Sequence, residues 1–214
     1  MKSTDTALLI IDMQRDFLDP RGYAAAARLN VLSLRQAIPA VAALLQAARL
    51  HRMLVIFTRE GHLPDLSDCH RSKLARSRAA GAEIGSTGPL GRLLVRGEPG
   101  HDIIDRLAPL PGEPVIDKPG YGAFHRTDLE QQLQTRGIRN LILTGVTTEV
   151  CVHSTLREGV DRGYNCVLVA DACASAYPHL HQAALEMATV EGGIFGRVLH
   201  SRLVMAILET AQLW

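Results

Sequence analysis

The sequence predicts a single α/β domain, a doubly wound and mostly parallel sheet with helices on both faces. Short apolar runs typical of buried strands alternate with helical patterns, which is the order of parallel βαβ crossovers. The 214 residues, of which 47% are hydrophobic, suffice for one domain with a substantial core. Polar residues directly follow several strands, where sites collect in open parallel sheets.

The amino-terminal half contains two of the predicted strands. Residues 7–11 form a clean apolar run, and residues 52–57 form the second strand. Between them, residues 31–50 form an apolar-rich helix, with Pro39 as a break or a first-turn residue. Residues 61–112 are rich in Gly, Pro and charge and show no strong period. We expect a long loop region there, with short helices, covering the active site at the strand ends.

The carboxyl-terminal half repeats the alternation. Glycines end several of its helical patterns. No internal repeat or second domain is indicated, so residues 1–214 are expected to form one domain. Strands are predicted at 114–117, 140–144 and 166–170, and helices at 128–136, after Cys151, at 180–191 and at 201–213.

Cys151 is the most informative residue of the chain. It lies in Gly145-Val-Thr-Thr-Glu-Val-Cys-Val-His153, between the strand at 140–144 and a helical pattern. This predicts a position in the first turn of a helix, where unpaired N–H groups and the helix dipole favour an anion. An arbitrary cysteine is more often a packing residue. Because the thiolate is the reactive form, this position instead predicts a nucleophile.

Asp12 and Lys118 end two other predicted strands. An acid, an ammonium and a thiol at three strand ends of a parallel sheet can converge in one crevice. Asp12 would take the thiol proton as general base, and Lys118 would hold thiolate and carboxylate by charge. Each alone is more often a solvated turn or strand end. The coincidence of three such positions predicts one site.

The composition favours an enzyme that acts on a small molecule. A net charge of +1 does not indicate a nucleic-acid surface. No apolar run reaches the ~18 residues of a membrane span, and the first residues do not form a signal peptide. The four cysteines contain no C-x-x-C pair and indicate reduced thiols in a cytoplasmic protein. No nucleotide-binding glycine motif is present, and we expect no cofactor.

Four segments resemble the isochorismatase-like cysteine hydrolases, which include nicotinamidases and N-carbamoyl amide hydrolases. The resemblance spans nearly the whole chain and implies a Rossmann-like fold, an Asp12–Lys118–Cys151 triad and an acyl-enzyme mechanism. The order Asp, Lys, Cys is specific to the family. The matching segments are Leu8-Leu-Ile-Ile-Asp-Met-Gln-Arg-Asp-Phe17, Asp117-Lys-Pro-Gly-Tyr-Gly-Ala-Phe124, Thr144-Gly-Val-Thr-Thr-Glu-Val-Cys-Val152 and Arg162-Gly-Tyr-Asn-Cys-Val-Leu-Val-Ala-Asp-Ala172.

The resemblance also implies a non-proline cis peptide between Val146 and Thr147. In the family this bend turns backbone N–H groups near Thr147 and Cys151 toward the substrate carbonyl, as an oxyanion hole. Relatives are usually oligomers, so a homo-oligomer, tetramer or dimer, is expected.

A metal site is the main alternative that the resemblance raises. Nicotinamidase-like members bind zinc or a similar ion through an Asp-x-His pair and a nearby second His. Glu60 and His62 imitate the pair, but Leu66 stands at the usual place of the second histidine. Glu60, His62, Cys69 and His70 are all competent ligands. We nevertheless expect that no metal binds there and that these residues line or close the pocket.

The substrate class comes from the loop at 59–68, which resembles that of biuret and triuret hydrolases, as do 94–100 and 192–196. The resemblance implies attack on a terminal urea carbonyl with release of ammonia. A small polar pocket with paired donors and acceptors discriminates strongly among such substrates. Candidate substrate contacts are Gln14, Phe17, Arg59, Glu149 and Tyr177.

Other functions stay open within and beyond the family. Ureidoacrylate, N-carbamoylsarcosine or nicotinamide hydrolysis are alternatives with the same triad. A non-catalytic member that binds partners through its surface is the alternative from another class. The intact Asp–Lys–Cys set argues against it, because a scaffold does not need these residues.

Overall fold

In the computed structural model, which describes residues 2–210, strands and helices alternate along most of the chain. The strands are β1 (Thr6–Ile11), β2 (Leu54–Glu60), β3 (Thr87–Gly88), β4 (Gly91–Arg92), β5 (Val115–Lys118), β6 (Asn140–Val146), β7 (Asn165–Ala174) and β8 (Arg197–Leu199). The helices are α1 (Arg15–Leu18), α2 (Tyr23–Ala26), α3 (Val31–Leu34), α4 (Ile38–Leu50), α5 (Arg71–Ala79), α6 (Leu129–Thr135), α7 (His153–Asp161), α8 (Pro178–Ala188), α9 (Val190–Gly193) and α10 (Ser201–Thr210).

One 6-stranded sheet has the order β5-β2-β1-β6-β7-β8, and every neighbouring pair is parallel. From β1 the chain winds to β2 and β5 on one side, and then to β6, β7 and β8 on the other. This reversal beside β1 opens a crevice at the carboxyl ends of the strands. The predicted doubly wound α/β class is therefore confirmed.

The side chains of β1 point alternately into two apolar cores. Leu8 and Ile10 belong to the core that contains α4, whereas Leu9 and Ile11 belong to the core that contains α6 and α7. This alternation follows from the two-residue period of a strand. Burial on both faces explains why β1 is a continuous apolar run instead of an alternating one.

Two strands continue at least three residues beyond their predicted ends. β2 continues to Glu60 and β7 to Ala174, although polar residues interrupt both apolar runs. In β2, pairing with β5 extends through Arg59 and Glu60. The three-residue β8 was not predicted because it is too short to produce a pattern. Part of the helix predicted at 201–213 lies outside the described residues.

The region 61–112 contains more structure than a loop, namely α5, an antiparallel pair of β3 and β4, and 3-10 turns. Asp16, at α1, anchors it to the rest of the chain. Its carboxylate accepts the N–H of Leu94 at 2.9 Å and of Tyr23 at 3.1 Å. From α5, Lys73 Nζ donates to the carbonyl oxygen of Pro119 at 2.7 Å. The region therefore contacts α1 and the chain just after β5.

The stretch Val31–Leu50, which includes α3 and α4, is long enough to cross a membrane and has a mean hydropathy of 1.4. Val41, Leu44 and Leu45 are buried in the core, which accounts for its apolar composition. A buried core helix passes the same test, so this is weak evidence for a span. Pro39 lies in the first turn of α4, where its missing N–H costs no helical bond.

Candidate active site

The three predicted catalytic side chains meet at the carboxyl edge of the sheet. Asp12 follows β1, Lys118 ends β5, and Cys151 lies beyond β6. Lys118 Nζ is 2.8 Å from Asp12 Oδ2. A carboxylate oxygen of Asp12 lies within 4.8 Å of the sulfur of Cys151. All three side chains are buried. A carboxylate and a thiol are thus close enough for a short proton transfer, with an ammonium beside them.

Thr58 of β2 fixes the conformation of Asp12. Its hydroxyl donates to Asp12 Oδ1 at 2.6 Å, and its carbonyl oxygen accepts the Asp12 N–H at 3.2 Å. Asp12 has φ of 52°. Non-glycine residues rarely adopt this left-handed region, although aspartate tolerates it better than most. Strained backbone at a strand end is common at functional sites, where neighbouring contacts hold it in place.

Lys118 is fully buried and uses all three of its ammonium donors. It pairs with Asp12 and donates to the carbonyl oxygens of Gly120 at 3.0 Å and Tyr121 at 2.9 Å. Burial lowers the pKa of Lys118, but the facing Asp12, Cys151 and Glu60 outweigh it, so the pKa lies above its ordinary value. Lys118 is therefore a fixed cation.

Cys151 lies in a π-helical turn, Thr148–Val152, that leads into α7. The sequence predicted the first turn of an α-helix with a stabilised thiolate. Instead, burial raises the pKa of the Cys151 thiol well above its ordinary value, and the opposing charge of Lys118 does not compensate. The free protein holds a protonated thiol. The thiolate must therefore form when a base takes the proton.

The peptide bond between Val146 and Thr147, at the end of β6, is cis. The Thr147 carbonyl oxygen accepts hydrogen bonds from the N–H groups of Val150 and Val152, both at 3.2 Å. Gly145, just before the cis bond, has φ of 115°, and a Cβ there would collide with the Ile11 carbonyl oxygen of β1. β1 and β6 therefore approach each other closely below the thiol. The oxyanion hole at Thr147 and Cys151 stays a prediction.

Glu60 is a fourth member of the site and lies directly beside the thiol, whereas the sequence predicts only that it lines or closes the pocket. Cys151 Sγ donates to Glu60 Oε2 at 3.3 Å, and Lys118 Nζ is 3.8 Å from the same oxygen. Because β2 lies between β1 and β5, its last residue falls between Asp12 and Lys118. The signal was a charge at a strand end, as for the triad. It was missed because the predicted strand stopped at residue 57.

Lys73 is a fifth member, contributed by α5. Its Nζ lies 2.6 Å from Glu60 Oε1 and 4.9 Å from the centre of the Tyr121 ring. Lys73 is buried, unlike most of its polar helix. No pattern in the sequence distinguishes it from the other basic residues of 71–78, so its position emerges only from the fold.

Two of the five predicted substrate contacts have other partners. The Gln14 amide donates to the carbonyl oxygens of Glu60 at 3.0 Å and His101 at 2.9 Å, and accepts the Glu60 N–H at 2.7 Å. Arg59 binds Asp117 at 2.7 Å, on the face of β2 opposite to Glu60. Gln14 and Arg59 thus join elements of the fold, and their role as substrate contacts stays a prediction.

The remaining candidates differ in exposure. Phe17 is buried in the core, with its ring 6.0 Å from that of Tyr23. It can therefore form at most one wall of a substrate pocket. Tyr177 is 46% exposed beside α8. Glu149, two residues from the nucleophile, has a buried Oε2 without a hydrogen-bond partner. Of the five, Glu149 has the strongest reason to bind a donor, and its role as a substrate contact stays a prediction.

The metal alternative is not supported by the position of its ligands. Among residues 2–210, the one group of three close metal-competent ligands is Asp12, Glu60 and Cys151, not the set around His62. Lys118 and Lys73 already neutralise the two carboxylates of that group. His62 instead pairs through Nδ1 with Asp68 at 3.2 Å. A further cation would meet two ammonium groups.

A cavity of about 310 Å³ lies on the outer side of Lys73. Lys73 and Tyr121 form part of its wall, and Cys151 is not among its lining residues. It lies between α5 and the chain that follows β5. The other lining residues include His70, Arg76, His125, Arg126, Asp68 and Glu158.

Comparisons with known proteins agree with this architecture. Residues 6–201 match the family model "Isochorismatase domain". The ureidoacrylate amidohydrolase RutB of Stutzerimonas stutzeri is 35% identical over 192 residues, which are 86% of this chain and 75% of that protein. The RutB of Azorhizobium caulinodans is 34% identical over 188 residues, 84% of this chain and 81% of that protein.

Two solved structures share the fold. A cysteine hydrolase from Pseudomonas syringae pv. phaseolicola superposes with a TM-score of 0.83 at 29% identity, covering 99% of this chain and 96% of that chain. N-carbamoylsarcosine amidase from Thermoplasma acidophilum gives a TM-score of 0.71 at 23% identity, over 92% and 96% of the two chains. With the family model, the relatives and the sheet in agreement, the chain belongs to the isochorismatase family of hydrolases.

Proposed function

We propose that the protein is a cysteine amidohydrolase that cleaves the C–N bond of a small ureido amide and releases ammonia. The observation that supports this most is the buried group of Asp12, Lys118 and Cys151, with the two charges 2.8 Å apart beside the thiol. A carboxylate next to a protonated nucleophile is the arrangement that general-base activation needs.

The acylation step follows from these positions. Asp12 takes the thiol proton, and the sulfur attacks the substrate carbonyl carbon. The carbonyl oxygen gains the negative charge, which the N–H groups of Thr147 and Cys151 would stabilise. Asp12 then gives its proton to the leaving nitrogen, the C–N bond breaks, and ammonia leaves. The remaining acyl group is a thioester on Cys151.

The pKa of Asp12 suits this role. Burial raises it, and the opposing charge of Lys118 does not fully compensate, so the pKa stays above its ordinary value. A carboxyl that binds its proton more tightly than usual is a better base toward a thiol. In the second step Asp12 takes a proton from water, the hydroxyl oxygen attacks the thioester, and the proton returns to the sulfur.

The ureido class of substrate is supported by two independent features. The RutB relatives are named for a ureido substrate. The site is polar, with the Glu60 carboxylate directly at the thiol. Within the class we propose biuret or triuret, because the loop at 59–68 resembles that of such hydrolases. Tyr177 is the proposed determinant of pocket length. Ureidoacrylate is the second candidate, which the RutB similarity favours.

Ammonia release from a panel of amides tests the substrate. Biuret or triuret should show a kcat/KM at least ten times that of nicotinamide, about 1.4 kcal/mol of transition-state discrimination. The physical reason is that the ring of nicotinamide would leave donors and acceptors of the pocket unpaired. The panel also contains ureidoacrylate and N-carbamoyl amino acids. Turnover of nicotinamide without ammonia from any ureido compound would reject the assignment.

A further inference from the structure

The mechanism above uses one of the two carboxylates at the thiol. Glu60 ends β2, is 4% exposed, and accepts the hydrogen bond of Cys151 Sγ at 3.3 Å. A buried carboxylate is costly unless it is paired and serves a purpose. Because Glu60 lies beside the reacting sulfur, it must also lie close to a bound substrate.

Lys73 compensates the charge of Glu60 from outside the sheet. Its Nζ lies 2.6 Å from Glu60 Oε1, donates to the Pro119 carbonyl oxygen at 2.7 Å, and lies over the Tyr121 ring. Glu60 Oε1 is therefore occupied by Lys73. Glu60 Oε2, which meets the thiol proton, is the oxygen that a substrate can reach.

The two carboxylates have opposite pKa shifts, which separates their roles. The pKa of Asp12 lies above its ordinary value. Burial also raises the pKa of Glu60, but the charges of Lys73 and Lys118 outweigh it, so the pKa lies below its ordinary value. Asp12 is thus suited to carry a proton, whereas Glu60 stays ionised and only accepts hydrogen bonds.

The position of Glu60 matches one part of a ureido substrate. A carbonyl carbon about to be attacked lies roughly 3–3.5 Å from the sulfur. A nitrogen bonded to that carbon can then reach Glu60 Oε2, which is itself 3.3 Å from the sulfur. Asp12 must face the leaving nitrogen to return its proton. Glu60, on the neighbouring strand, is left for the nitrogen on the other side of the carbonyl.

We propose that Glu60 is a specificity-determining residue whose carboxylate accepts the N–H on the non-leaving side of the attacked carbonyl, with Lys73 as its positioning residue. This inference rests on the proposed ureido function. An amide such as nicotinamide has carbon on that side and leaves Glu60 unpaired. A ureido group has N–H on both sides of the carbonyl and satisfies Glu60.

The variants Glu60→Gln and Lys73→Met test the proposal, with Arg71→Met, an exposed cation of the same helix, as the matched control. For biuret, Glu60→Gln should lower kcat/KM by roughly 10- to 100-fold, mainly through KM, because it removes a hydrogen bond to a charged group. Lys73→Met should raise KM by a smaller factor. Arg71→Met should stay within about twofold of the wild type.

Alkylation of Cys151 by iodoacetamide across pH gives a readout without substrate. Cys151, Asp12, Lys118 and Lys73 lie directly around Glu60, and Asp16, Tyr23, His62 and Cys69 also interact with it electrostatically. Loss of the Glu60 charge should lower the apparent pKa of the thiol, and loss of the Lys73 charge should raise it. A thiol pKa that moves in neither variant overturns the proposal, because Glu60 is then not an ionised neighbour.

The outcomes separate this inference from the proposed function. If the wild-type enzyme releases no ammonia from ureido compounds, the function fails and the inference with it. If biuret is hydrolysed and Glu60→Gln loses kcat with KM unchanged, Glu60 acts as a base and the inference alone fails. If Glu60→Gln does not fold, the KM and thiol pKa of Lys73→Met decide.

Discussion

At the scale of single residues, Cys151 combines burial with proximity to two carboxylates. Both features keep the thiol protonated in the free protein. A protonated thiol is a poor nucleophile and also reacts slowly with oxidants. In the proposed mechanism, the reactive thiolate is thus formed only while Asp12 holds the proton.

Replacing Cys151 tests whether its thiol is the nucleophile. Cys151→Ser should lose at least ~10³-fold in kcat, because a serine hydroxyl is scarcely ionised beside an aspartate base. Cys166→Ser is the matched control. Cys166 is equally buried, but its thiol donates to the Tyr164 carbonyl oxygen, at 3.7 Å, and it pairs with Leu141 near the start of β6, away from the triad. Ammonia release gives the rates, and a near wild-type rate for Cys151→Ser would contradict the mechanism.

The residues of the site were predictable to different degrees. Asp12, Lys118 and Cys151 each follow an apolar run, so the rule that polar strand ends converge identified them. Glu60 obeys the same rule, but two polar residues, Thr58 and Arg59, hide the end of its strand. Lys73 obeys no local rule, because its partner is 13 positions away in sequence and the contact depends on how α5 packs.

At the scale of elements, the contact between β1 and β6 determines how the site is built. The two strands pair in parallel from Thr6 with Asn140 to Ile11 with Gly145. This register sets Asp12 and the turn that contains Cys151 at the same level. The apolar runs predicted both strands. The π-helical turn was not predicted, because nothing in composition or period distinguishes it from the start of an α-helix.

Gly145→Ala tests this contact. The new Cβ would collide with the Ile11 carbonyl oxygen at a φ that alanine rarely adopts, so unfolding should cost about 3 kcal/mol less. Urea unfolding measures the change. Gly163→Ala is the control, with φ of 85° and no atom within 4 Å of the new Cβ. It should lose only about 1 kcal/mol. Equal losses would show that the strand contact tolerates a methyl group.

At the scale of the whole molecule, Asp16 connects α1 to the region 61–112. It is 1% exposed and accepts two backbone N–H groups, from Tyr23 and Leu94. Burial raises the pKa of Asp16 to about 6, despite these hydrogen bonds. The folded protein therefore binds a proton on Asp16 more tightly than the unfolded chain, where the pKa is near 3.8.

The proton on Asp16 makes the stability of the folded protein depend on pH. Between pH 4 and pH 6 the folded state holds the Asp16 proton longer, so this group's contribution to stability falls as pH rises, by about 3 kcal/mol in total. Asp16→Asn removes the titration. The free energy of unfolding of the wild type, measured relative to Asp16→Asn, should be higher at pH 4 than at pH 7. A difference that stays constant with pH would contradict the raised pKa.

The active site is built from two parts of the chain, the strand ends and the region 61–112, and this affects how its selectivity can change. The proton-transferring groups stand on the strand ends of the sheet, whereas the cation that holds Glu60 comes from α5, in the region 61–112. If Glu60 selects the substrate as proposed, the residue that contacts the substrate lies on the sheet with the triad, and only the cation that positions it lies in the region 61–112. We therefore expect that exchanging the segment between β2 and β5 alters selectivity among amides through the surroundings of Glu60, while the sheet beneath keeps Asp12, Lys118 and Cys151 in place.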